Sequence, residues 1–91
     1  MIRQSVLVVN TLGLHARAAA KLVRLASRFS SEVHLSREDA NQRIDSKSIL
    51  GILQLAASKG TRLIVMIDGE DEAEAGAAIR QLFENKFGEE N

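Results

Sequence analysis

The 91-residue sequence predicts an α+β fold: an open-faced sandwich of order βαββαβα, with a four-stranded antiparallel sheet and its helices on one face. Two-residue alternation of β-branched and apolar residues recurs near positions 2–9, 32–36 and 61–68. Helical spacing of apolar residues occupies the stretches between and after those runs. The length allows one core and no second, so residues 1–91 make a single domain. A chain of this size buries roughly 60–65% of the surface its unfolded form exposes, enough to fold without covalent staples.

Each element follows from its local pattern. Ile2–Val9 sets Ile2, Gln4, Val6 and Val8 against Arg3, Ser5, Leu7 and Val9 and reads as a central or well-covered strand. Asn10–Leu14 is a turn around Gly13. From Ala16 to about Phe29, residues Ala19, Leu22, Val23, Ala26 and Phe29 share one helix face, and Arg17, Lys21, Arg24 and Arg28 lie opposite. Ser30 and Ser31 end this helix. Glu32–Ser36 and Arg43–Asp45 flank a polar tract and predict a weak antiparallel hairpin. A short helix follows from about Lys47, with Asp45 or Ser46 as its N-cap and Gly60 as its stop. Thr61–Asp68 is the last strand, with Leu63, Val65 and Ile67 on one face. Asp71 and Glu74 suggest a capping box for a final helix that turns Ala75, Ala78, Ile79, Leu82 and Phe83 inward. Arg80 and Lys86 toward its C-terminus would suit the helix dipole.

Composition removes several kinds of chemistry. The absence of cysteine excludes disulfides, thiolate metal sites and cysteine nucleophiles. No apolar run approaches the ~20 residues of a membrane span, and Met1–Ser5 does not begin like a signal peptide. A cytoplasmic location without membrane insertion is expected. Net charge is zero, but residues 1–47 carry eight Lys/Arg against four Asp/Glu, and residues 48–91 carry four against eight. With only Phe29, Phe83 and Phe87 as aromatics, the chain lacks a stacking platform for nucleic acid. A basic face that meets an acidic protein fits better. Neither a metal nor a cofactor is expected: His34, the only histidine besides His15, has no partner at ligand spacing and reads as an ordinary exposed strand residue.

The chemistry concentrates at Asn10–Val23. With Ala16 as the first helical residue, His15 becomes the N-cap, and the unpaired N–H groups of Ala16, Arg17 and Ala18 surround its ring. The helix end favours a nearby anion by ~0.3–1 kcal/mol. The Arg17 guanidinium can grip phosphate oxygens. Positive surroundings disfavour a charged ring and leave a nitrogen lone pair free to act as nucleophile. The same spacing also suits a histidine that merely caps a helix beside a solvated arginine stripe.

The run Leu12-Gly-Leu-His15-Ala-Arg17, followed by Ala-Ala-Ala-Lys21-Leu22, resembles the signature of the HPr family, the histidine phosphocarriers of the phosphoenolpyruvate-dependent phosphotransferase system. Lys47–Gly51, Ala57–Gly60 and Gly69–Glu72 resemble its later segments, so the likeness covers the whole chain. It implies a carrier, not an enzyme, in which His15 takes phosphate on Nδ1 from phosphorylated Enzyme I and gives it to an enzyme IIA-type protein. Arg17 would steady that phosphate. Sugar-transport and nitrogen-related (NPr) branches share this site, and the acidic tail and Ala18 lean slightly toward NPr or a truncated system. The resemblance also aligns Ser48 with a regulatory serine addressed by an HPr serine kinase/phosphorylase, which leaves open a purely regulatory interaction module. It places partner docking on the first two helices. There Ile49, Leu50, Ile52 and Leu53 exceed one buried stripe, and Lys21, Arg24 and Lys47 would form a charged rim. The family usually has proline where this chain has Ala18. Alanine restores an N–H that could serve an anion, and the exchange is expected to be mild.

Overall fold

The computed structural model describes residues 1–91. Strands β1 (Ile2–Leu7), β2 (Glu32–Arg37), β3 (Arg43–Asp45) and β4 (Arg62–Asp68) alternate with helices α1 (Ala16–Ala26), α2 (Ile49–Gln54) and α3 (Glu72–Glu84). A 3₁₀ turn at Lys86–Gly88 follows α3. The order βαββαβα and the antiparallel sheet are as the sequence predicts.

The sheet runs β1-β4-β2-β3, with every neighbouring pair antiparallel. The last strand in sequence is therefore inserted between β1 and β2. Leu63, Val65 and Ile67 are fully buried on the helix side of β4, each worth ~1.5–3 kcal/mol on leaving water. Ile64 and Met66 sit half-exposed on the open side. Leu63, Val65 and Ile67 continue into Val6, Val33, Leu35, Leu22, Ile52, Ile79 and Phe83 as one core.

Four local expectations need correction. The first strand is an edge, not a central strand: no strand lies beyond β1, and its cover comes from β4 on one side and α3 on one face. Helix α2 begins later and ends earlier than the pattern implied. Asp45 spends its side chain on the Lys47 N–H in a turn and Ser46 is buried, so Ser48 becomes the N-cap, its hydroxyl accepting from the Gly51 N–H at 3.3 Å. The helix stops at Gln54 because Ala56 takes a left-handed backbone (φ 49°), and Gly60 serves the turn into β4 instead. Asp71 stands at the N-cap of α3 without capping it, and Glu74 makes no reciprocal bond. The Asp71 carboxylate instead accepts from the Ser30 and Ser31 N–H groups and the Ser31 hydroxyl, tying the α1–β2 connection to the start of α3. Finally, α3 ends at Glu84 with no base in its last turn, since Lys86 lies beyond it.

The Ser31 hydroxyl, then the Ser30 N–H, hold the Asp71 carboxyl down at about 2, below its ordinary 3.8. A depressed folded value means this contact contributes in full above about pH 4 and is lost as pH falls through about 2. Urea titrations at about pH 5 and about pH 2.5 should show the wild type losing more stability than Asp71→Asn. Equal losses would show the carboxylate contributes nothing there.

Candidate functional site

The loop Asn10–His15 is held open in one shape by backbone geometry. Gly13 has φ +68°, and a Cβ there would lie 2.6 Å from the Ala57 carbonyl. That close approach lets the Leu14 N–H donate to Ala57 O at 2.9 Å, anchoring the entry of α1 to the segment after α2. Leu14 is buried, so His15 is fixed at the surface as the N-cap, with an extended backbone.

The imidazole is oriented at both nitrogens. The Arg17 N–H donates to Nδ1 at 3.3 Å, so that nitrogen presents its lone pair toward the helix end. The Ala19 N–H takes the His15 carbonyl as an ordinary helical bond, and the Ala16 and Ala18 N–H groups have no protein acceptor. Ala16 and Arg17 are exposed, and the Arg17 guanidinium makes no hydrogen bond or ion pair. Ala18 has no exposed surface, so a phosphate reaches its N–H only if the ring or its neighbours shift.

The other nitrogen reveals what the residue pattern did not. Glu89, from the C-terminal tail, places Oε2 2.5 Å from His15 Nε2. The hydrogen bond from His15 holds the Glu89 carboxyl below the usual carboxylate range, against the opposing effect of burial, and the Asn10 amide adds to it. Asn10 is fully buried and donates from Nδ2 both to Glu89 Oε1 and to Gly13 O, at 2.9 Å each. A purely cationic setting for His15 is therefore corrected: a carboxylate lies opposite the helix end. Acidic residues in the tail were visible in the sequence, but nothing there tied them to the loop.

The tail is tied down along its length. Phe87 is buried edge-on against Phe83, with ring centroids 4.9 Å apart. Lys21 Nζ donates to the Phe87 carbonyl at 2.6 Å, and the Thr11 N–H to the Asn91 carbonyl at 2.6 Å. Lys86 and Phe87 adopt left-handed backbones (φ 57° and 56°), each at a cost of about 1–2 kcal/mol, and Gly88 continues the turn.

Among the expected docking residues, Leu50 is 70% exposed, Ile49 and Leu53 are partly so, and Ile52 is core. Leu12, exposed in the loop before His15, adds an apolar surface the pattern did not single out. Lys21 and Lys47 spend their ammonium groups on the Phe87 and Phe29 carbonyls, whereas Arg24 is exposed and unpaired. Ser48 is exposed at the start of α2. His34 lies half-exposed on β2, its Nδ1 3.5 Å from Arg43 Nη2, remote in the fold from the α1 entry. No cluster of three potential metal ligands exists, and no helix is long and apolar enough to cross a membrane.

Together these elements define a small open-faced α+β domain with a histidine nucleophile candidate at a helix N-terminus. A family model described as the PTS HPr component phosphorylation site matches residues 2–85. The chain is 49% identical over 90 residues to the phosphocarrier protein HPr of Xylella fastidiosa strain 9a5c, covering 99% of each. It is 47% identical over 89 residues to the same protein of Neisseria meningitidis serogroup A, covering 98% of each. The crystal structure of HPr-C-His from Thermoanaerobacter tengcongensis superposes with a TM-score of 0.93 at 41% identity, each chain fully covered. HPr from Bacillus anthracis gives a TM-score of 0.84 at 30% identity, with 90% of this chain and 95% of that one covered. The chain belongs to the HPr family of phosphocarriers of the phosphotransferase system.

Proposed function

We propose that this chain accepts a phosphoryl group on His15 Nδ1 from phosphorylated Enzyme I and passes it to enzyme IIA-type acceptors, acting as a carrier in the cytoplasm and catalysing nothing alone. The observation that carries this reading is the Arg17 N–H donating to Nδ1, which fits that nitrogen being unprotonated, with its lone pair directed at the helix end. Attack on phosphorus makes a phosphoramidate whose oxygens fall beside the Ala16 and Arg17 N–H groups and the free Arg17 guanidinium. Once the phosphoryl group occupies the lone pair, the Arg17 N–H can turn to a phosphate oxygen. The exposed Leu12, Ile49, Leu50 and Leu53, with Arg24 at the rim, supply the partner-docking face. Incubation with phosphoenolpyruvate and an active Enzyme I should give a single phosphoryl adduct, labile in acid and stable in base. Running the sugar-type and nitrogen-type Enzyme I in parallel assigns the branch. An unmodified protein with both overturns the reading.

Ser48 supports a second layer of control. It is exposed at the head of α2, next to the apolar docking residues. A phosphate there adds about −1.5 to −2 charge to that face and would weaken apolar docking. An HPr-type serine kinase should label the wild type and leave Ser48→Ala unlabelled. Equal labelling of both would remove Ser48 from the regulatory role.

A further inference from the structure

We infer that Glu89 is a positioning residue for phosphoryl transfer: through Nε2 it holds the His15 ring in the tautomer and orientation that present the Nδ1 lone pair. The inference rests on the phosphocarrier reading above and deepens it. Three observations carry it. The carboxylate meets Nε2 at 2.5 Å while Nδ1 already accepts an N–H, so the ring's proton belongs on Nε2 and the two contacts agree on one tautomer. The carboxylate is itself held by the fully buried Asn10 amide, which also grips the Gly13 carbonyl in the loop that carries His15. The tail that delivers it is pinned by Phe87 burial and the Lys21–Phe87 bond, despite a left-handed turn.

A carboxylate in that position answers the charge that phosphoryl transfer puts on the ring. When Nδ1 attacks, its lone pair forms the P–N bond and the donor's bond to phosphorus breaks with its electron pair. The ring keeps its Nε2–H and becomes cationic, and the Glu89 carboxylate faces that new charge. On onward transfer the P–N pair returns to Nδ1, the charge disappears, and no proton has to enter or leave. An acid orienting a histidine in this way holds the ring and stabilises its charged form, as the buried acid does in hydrolase triads; Glu89 is partly buried. The opposing effect is repulsion between the carboxylate and the incoming anion. Glu89 sits at the far nitrogen, with the Arg17 N–H and the helix end at the nitrogen that takes the phosphate, which favours positioning over obstruction.

The test uses all 91 residues. Glu89→Ala should accept phosphate from phospho-Enzyme I about tenfold more slowly, the scale of a lost hydrogen bond to a charged group. Its His15 ring should show mixed tautomers by nitrogen-detected NMR, where the wild type shows the Nε2–H form alone. Glu89→Gln retains an acceptor oxygen without the charge, so it should restore the single tautomer and only part of the rate. Wild-type rate and tautomer in Glu89→Ala, or faster acceptance, overturns the inference and leaves the carrier reading intact. A wild type that takes no phosphate overturns the carrier reading itself, and the tautomer measurement still decides whether Glu89 orients the ring.

Discussion

A His15→Ala variant incubated with phosphoenolpyruvate and active Enzyme I is expected to stay at its unmodified mass, while the wild type gains one phosphoryl group. The effect is all or nothing because no other group can inherit the role. The chain has no cysteine, and His34 sits on β2 beside Arg43, not at the N-cap of a helix. A covalent carrier without its nucleophile retains a phosphate-binding surface and nothing to bond the phosphate to. The fold should survive. Histidine is a weak cap, and the losses are a 3.3 Å contact to the Arg17 N–H and the bond to the Glu89 carboxylate, so the stability change should be about 1–3 kcal/mol. Circular dichroism and a thermal melt establish that the variant is folded, and peptide mapping of the wild-type adduct locates the phosphate. An adduct on His15→Ala at wild-type stoichiometry would assign the chemistry elsewhere.

Replacing Phe87 with alanine is expected to be the most destabilising change in the C-terminal segment. Its ring is almost wholly buried and packs edge-on against Phe83. Truncating a buried phenylalanine costs about 3–5 kcal/mol when the remainder cannot collapse. At a terminus part of that loss is avoided by undocking, so about 3 kcal/mol is expected, against a total stability of about 5–14 kcal/mol for a domain of this size. The midpoint of thermal unfolding should fall by about 12 °C or more. The undocked tail also releases the Lys21 ammonium and withdraws Glu89 from His15. Phe87→Ala should therefore reproduce the ring-tautomer change of Glu89→Ala even at temperatures where the domain is fully folded. A melting point within a few degrees of wild type would show that the aromatic pair contributes little.

How much of this was legible in the sequence depended on whether a residue's role is set by its neighbours in the chain. Val65 and Ile67 had to face inward once β4 was read as a strand, because alternation leaves no other choice. His15 had to stand at a helix mouth because the apolar spacing of α1 begins immediately after it. The α2 cap was not decidable locally. Asp45, Ser46 and Ser48 all suit a cap, and the choice fell to Ser48 because pairing of β3 with β2 and burial of Ser46 use up the residues before it. The same holds for Asp71, whose carboxylate answers to serines 40 and 41 positions away. Glu89 lay furthest from view. Its position depends on two non-glycine residues in left-handed conformations and on a phenylalanine outside any periodic pattern.

The placement of β4 in the middle of the sheet governs when the protein can come into being during synthesis. Until Arg62–Asp68 have left the ribosome, β1 has no partner and β2 can pair only with β3. When only residues up to 60 have emerged, His15 and all of α1 are present, yet the β2–β3 hairpin is the only sheet that can have formed. Contacts so distant along the chain close slowly and together. The histidine is made well before β4, and its surroundings assemble only after that strand has emerged.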